Sequence, residues 1–142
     1  MECAVQAART PDDSSRAPVR IGPVRVCAGA ADVADFRRET GAPEGSNLPF
    51  TYPVRWLTYP EIRAAGAALI DMDGWVPIHE SQSFEYERRL DMEIDYQMMV
   101  ELVRETDPSR LILRAEIGDA QLCLRMEMIL RIIRTDGVES SA

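Results

Sequence analysis

The chain has no lysine. All sixteen basic residues among its 142 are arginine, set against twenty-four acidic ones, for a net charge of −8. That balance excludes the basic stripe on which nucleic-acid binding normally rests. Genomic base composition is enough to account for the missing lysine. Arginine nevertheless binds phosphate or carboxylate through two parallel hydrogen bonds, which lysine cannot do, so local arginine pairs remain candidates for an anionic ligand. Histidine occurs once, at His79. Cysteine is sparse and widely spaced, at Cys3, Cys27 and Cys123. One histidine and scattered cysteines supply no usual metal-ligand set and no disulfide framework. There is no glycine-rich phosphate loop and no nucleophile elbow, so no metal or other cofactor is expected. No apolar run approaches the ~20 residues that cross a bilayer, so no membrane partner is expected either. The N-terminus lacks the apolar centre of a secretory signal. Free thiols of this kind fit a reducing, cytoplasmic location.

What is present is an ordinary globular composition, 46% hydrophobic and 28% charged, at a length that suggests one domain. Residues 1–18 are small, polar and charged and read as a tail, as do residues 135–142. The segment between, 19–134, is the expected domain. VRIGPVRV (Val19–Val26) reads as a first strand, confined to a sheet edge by Gly22 and Pro23. Asp32 is positioned to cap a helix over residues 33–40, which Gly41 ends. Residues 42–53 form a loop. Thr58 and Glu61 match the capping box T-x-x-E, with Pro60 in the first turn of a helix that reaches Ile70. Residues 71–74 form a turn. From Trp75 the period changes to two: Phe84 and Tyr86, then Ile94 to Leu102, then Leu111 to Ile117, then Leu122 to Ile132 alternate apolar with polar. Asp107-Pro108 marks a turn, and Gly118-Asp119 fits a two-residue hairpin.

The helix after Pro60 has a body of Ala64, Ala65, Gly66, Ala67 and Ala68, with little bulk on any side. Gly66 costs about 1 kcal/mol against alanine in mid-helix, which suggests a packing reason for it. A helix so bare suits close approach by a sheet. The implied fold class is α+β, a curved antiparallel sheet around a central helix.

Three segments carry a family resemblance. VRVCAGAADVADFRRETG resembles an opening strand and short helix ending in Thr-Gly. LPFTYPVRW resembles an LP-T-P loop before the central helix. VPIHESQSFEYERRL resembles the strand pattern His-x-x-Gln-x-Phe-x-Tyr-x-Arg-Pro-Leu, matched by His79, Gln82, Phe84, Tyr86, Arg88 and Leu90, with Arg89 in the place of proline. These resemble the MaoC-like dehydratases of the hotdog fold, and most closely the N-terminal half of the double-hotdog acyl dehydratases. The resemblance implies a hotdog fold and a thioester context, with acyl groups carried on coenzyme A or acyl carrier protein (ACP). It also implies pairing, either as a homodimer or as a heterodimer with another hotdog subunit. The family's catalytic segment, Asp-x-x-x-x-His, has no counterpart: LTYPEIRAAGAAL stands there, with neither Asp nor His. The resemblance therefore points to a pocket-forming half and leaves its own catalysis open. An independent hotdog thioesterase and a non-enzymatic acyl-CoA-binding protein are the alternatives.

The candidate residues follow. His79, the one histidine, is either an acid/base group at a pocket mouth or a strand-start histidine bonded to backbone. Glu61 is either a capping carboxylate or a thioesterase-type carboxylate. Tyr52, Gln82 and Arg88 are expected to contact substrate. Met92, Met98, Met99, Met126 and Met128 either line an acyl tunnel or fill core. Arg88-Arg89 and Arg110/Arg114 are candidates for coenzyme A phosphates. Arg88 and Arg89 point to opposite faces, so only one of them can serve.

Overall fold

Alternation in the four long strands builds the domain. In the computed structural model, which describes residues 17–70 and 74–135, they join an edge strand in one antiparallel sheet. The elements are β1 (Val19–Val26), α1 (Ala30–Thr40), a 3₁₀ turn (Tyr52–Thr58), α2 (Pro60–Ile70), β2 (Trp75–Tyr86), β3 (Tyr96–Thr106), β4 (Ser109–Gly118) and β5 (Leu122–Arg134). The sheet order is β1-β3-β4-β5-β2. This is the α+β arrangement expected from the sequence, one antiparallel sheet with α2 packed against it. The expected tails, apart from residues 17, 18 and 135, lie outside the described residues, as do Cys3 and residues 71–73 of the expected turn. Thr135 is tied back, its backbone N–H donating to the Gly74 carbonyl at 2.6 Å.

Residues directly opposite one another in a ladder share a face, so the register sorts the side chains. One face carries rows such as Ile21, Val100, Ala115, Met126 and Phe84, or Val24, Met98, Ile117, Leu124 and Tyr86. This face holds the core: Met98, Leu102, Ile117 and Leu124 are fully buried. The other face carries a ladder of opposite charges. Arg20 pairs with Glu101, Arg114 with Glu127 at 2.9 Å, and Arg125 with Glu116 at 3.4 Å. Such solvated pairs contribute ~0–1 kcal/mol each; they keep this face in water more than they stabilise it.

β1 lies at an edge, as expected, and its register breaks between Ile21 and Val24. A Cβ on Gly22, whose φ is +131°, would meet the Met98 carbonyl oxygen at 2.7 Å, so the close approach to β3 requires glycine. Gly41 ends α1 in the left-handed conformation, also as expected.

Several local readings are corrected. The cap position of α1 is Gly29, not Asp32, which sits in the first turn; the helix starts at Ala30, whose N–H donates to the Glu93 carboxylate at 2.6 Å. A group 63 positions away thus does the capping. The T-x-x-E box does not form: the Thr58 hydroxyl donates to the Arg55 carbonyl, and the Tyr59 carbonyl accepts from Ile62 and Arg63. Part of the expected loop over residues 42–53 instead begins the 3₁₀ turn at Tyr52. The Gly118-Asp119 hairpin has a three-residue loop, with β5 starting at Leu122, and the Asp119 carboxylate accepts from the Gln121 N–H at 3.0 Å. Ile94 lies outside β3 and is exposed.

Candidate functional site

α2 buries Ile62, Gly66 and Leu69 against the sheet, where it contacts β3 and β4. Its alanines do the opposite of what bareness suggested: Ala64, Ala67 and Ala68 are exposed. The bulky residues anchor the helix, and the small ones leave its other side open. The packing reason expected for Gly66 is also weak, because a Cβ there would meet Leu111 at 3.4 Å and Leu102 at 3.8 Å, which is contact without clash.

Beside α2 runs a groove of about 540 Å³. The helix contributes Ile62, Gly66, Ala67 and Ile70; β4 and β5 contribute Leu111, Leu113, Met128 and Leu130; β2 contributes Trp75 and Pro77. The polar groups on its lining are Thr58 and Arg63. A groove so apolar, with a cation on its wall, suits an acyl chain with an anionic carrier.

His79 follows Trp75 and Pro77 by alternation and lies opposite Leu130, so its strand position is on the groove face. Its side chain is exposed and forms no hydrogen bond among the described residues. A register shift between His79 and Ser81 moves the alternation by one residue, which brings Gln82 opposite Met128. The Gln82 amide nitrogen donates to the Glu127 carbonyl at 3.2 Å. Its Oε1 is buried and has no partner among the described residues. A buried acceptor without a donor costs ~1–3 kcal/mol; Gln82 shares the groove face of β2 but is not among the residues that line the groove.

Glu61 is exposed in the first turn of α2, next to Ile62 of the groove, and holds no backbone N–H among the described residues. No hydrogen bond joins it to His79. Tyr52 is buried with Phe36 at 5.2 Å and Trp56 at 6.0 Å, ring to ring, and burial pushes its phenol up from the ordinary value. It is not among the residues that line the groove. Arg88 donates to the Asp119 carboxylate at 2.7 Å and to the Cys123 sulfur at 3.1 Å. Asp119 is held below the usual carboxylate range, first by the Gln121 N–H and then by Arg88. Arg110 and Arg114 are likewise committed to Glu105 and Glu127. Of the methionines, Met128 lines the groove, Met98 and Met126 are core, and Met99 is exposed.

A second cavity, of about 320 Å³, lies under the 42–51 loop beside Arg37, Phe50 and Arg89. Of these, only Arg89 drew notice in the sequence, as half of a double arginine. Arg37 and Phe50 gave no signal there, because their setting depends on loop carbonyls.

No protein-family model matches the chain, and no curated protein matches it by sequence. Solved structures do. HtdX of Mycobacterium tuberculosis aligns with a TM-score of 0.62 at 16% identity, over 84% of this chain and 52% of its own; the chain spans about half the length of HtdX. The 3R-hydroxyacyl-ACP dehydratase complex HadBC of Mycobacterium tuberculosis, truncated at the C terminus, aligns with a TM-score of 0.61 at 12% identity, over 80% and 93%. A hot-dog-like protein of Thermanaerovibrio acidaminovorans gives 0.62 at 13% identity, over 88% and 87%. Structures described as thioesterases match as well. At these identities the likeness is one of fold: the chain has the hotdog fold.

Proposed function

We propose that this chain handles acyl thioesters as the pocket-forming member of a MaoC-like hydratase/dehydratase, with the acyl chain in the groove beside α2. The carrying observation is that groove: apolar, open beside Ala67 of α2, and walled by an edge strand, β2, that among the described residues pairs on one side only. An unpaired edge next to an uncovered apolar face suits a second hotdog subunit, either another copy or a catalytic relative. That HadBC is a complex of such proteins supports the reading. The chain carries no Asp-x-x-x-x-His segment, so the acid/base pair belongs to the partner. His79 and Gln82, whose strand positions face the groove, touch the substrate on this side. The free thiols of Cys27 and Cys123 accord with a cytoplasmic setting; among the described residues no helix is long and apolar enough to cross a membrane.

The test uses crotonyl-CoA. The purified chain binds it without consuming the enoyl absorbance or releasing thiol. Ala67→Trp, which fills the open groove from an exposed position, weakens binding about tenfold or more with an unchanged melting temperature. Hydration appears on mixing with a hotdog subunit that carries the Asp/His segment. Enoyl loss by the chain alone would overturn the non-catalytic assignment. Thiol release abolished by Glu61→Gln would establish the thioesterase alternative, for which Glu61 is free of any capping role.

A further inference from the structure

Most of the described arginines pair with a carboxylate; Arg37 and Arg89, in the cavity under the 42–51 loop, are among those with no carboxylate partner among the described residues. Arg37 donates from Nε to the Pro43 carbonyl at 3.0 Å, and from Nη2 to the carbonyls of Gly45 at 2.8 Å and Asn47 at 3.0 Å. These bonds fix the guanidinium and leave Nη1 and the charge unmatched. Arg89 donates to the Leu48 carbonyl at 2.9 Å and lies 3.9 Å from the centre of the Phe50 ring. Phe50 is 53% exposed although large and apolar. Its backbone is held by the Tyr86 hydroxyl, which donates to the Phe50 carbonyl at 2.6 Å, and its ring packs edge-on against the Tyr86 ring at 5.3 Å. Two cations with no carboxylate partner among the described residues, beside a half-exposed aromatic ring, match a phosphate next to a flat base. The nearby carboxylates do not neutralise them. Glu44 lines the cavity without pairing to either arginine, and Asp91 accepts from the Asn47 amide.

We infer that this cavity holds the phosphate-bearing adenine nucleotide of an acyl-CoA whose acyl chain lies in the groove beside α2. The inference rests on the acyl-thioester reading and adds the carrier: a nucleotide, where an acyl carrier protein would bring only phosphopantetheine. The volume, about 320 Å³, lies at the small end of ligand sites, ~300–1,000 Å³, enough for a nucleotide and too little for the whole cofactor. The two cavities are also within reach of each other. Gln82, opposite Met128 of the groove, and Tyr86, bonded to Phe50, lie four residues apart on β2, a run of ~13 Å at ~3.3 Å per residue. An extended pantetheine arm spans that.

Titration calorimetry of the full chain with adenosine 3′,5′-bisphosphate is the test. Saturable binding that weakens with salt is expected. Phe50→Ala and Arg89→Gln each weaken it about tenfold. Glu44→Gln, which removes a rim carboxylate without touching the loop's hydrogen bonds, strengthens it about twofold; this arm stays informative if Arg89→Gln loosens the loop. Absence of binding, or equal binding by Phe50→Ala and Arg89→Gln variants with wild-type melting temperatures, would overturn the site. Inorganic phosphate or 4′-phosphopantetheine binding as tightly as the bisphosphate would overturn the nucleotide assignment. Acyl-pantetheine, which lacks the nucleotide, separates the two proposals. If it binds while the bisphosphate does not, only the nucleotide site falls. If the bisphosphate binds through Phe50 and Arg89 while acyl-pantetheine does not, the site stands and the thioester reading falls.

Discussion

β3 and β2 both alternate, and both present one face to the inside of the same sheet, yet they are finished to different degrees. Every second residue of β3 from Tyr96 to Arg104 is buried. On β2 no residue is fully buried, and Pro77 and His79 on the groove face are exposed. The difference is one of cover. β3 lies between two strands and under α2, whereas β2 has a neighbour only in β5 and little helix above it. Periodicity marks which face is meant for burial; it does not say whether this chain supplies the burying surface. The unfinished strand is the one that walls the groove, so incompleteness and candidate function coincide.

The sharpest way to break that comparison is to truncate a leucine on each side. Leu102→Ala on β3, where the side chain is 0% exposed, costs ~2–5 kcal/mol of stability by urea unfolding. Leu130→Ala, on β5 opposite His79 and only partly buried, costs ~1 kcal/mol in the isolated chain. Addition of a covering subunit raises the second cost towards the first. Equal costs in the isolated chain would mean that the groove side is already closed, and the contrast between the strands would be lost.

A smaller effect, of opposite sign, tests the covered face of α2. Gly66→Ala places its methyl in ordinary contact with Leu111 and Leu102 and removes glycine's backbone entropy. It stabilises the domain by up to ~1 kcal/mol, read as a raised melting temperature. A loss instead would mean that α2 lies tighter on the sheet than these contacts show, restoring the close approach that the alanines first suggested.

What the sequence made legible follows the range of the interactions. Strands β2 to β5 were readable because alternation is a local record of a two-sided environment. Gly41 was readable because a left-handed helix end is a local demand. The caps were not: Glu93 competes with Asp32 from across the chain, and Tyr59 takes the start of α2 although Thr58 and Glu61 fit a box. The alanines announced a helix with a small surface but not which way it faced, since direction is set by Ile62 and Leu69 finding the sheet. The strand positions of His79 and Gln82 on the groove face follow from the period once the register shift between them is known. The division of labour between Arg88 and Arg89 does not, because it depends on Asp119, 31 residues from Arg88.

That Arg88–Asp119 contact gives the mildest test, at the C-terminal end of β2. Asp119 accepts from Gln121 within its own hairpin and from Arg88 just beyond β2, so it fastens the edge strand to the β4–β5 turn. Both donors favour the carboxylate, and its folded pKa lies below the ordinary value of 3.8. A depressed acid contributes stability that is fully present above its unfolded pKa and is lost as pH falls through the folded one. Asp119→Asn keeps an acceptor for the Gln121 N–H and removes the charge facing Arg88. The melting temperature of the variant therefore falls slightly below wild type at neutral pH, and the gap closes as pH is lowered through and below about 4. A gap that persists unchanged into acid would show that the amide disturbs the hairpin itself, and that the carboxylate's charge is not what holds the free strand's end.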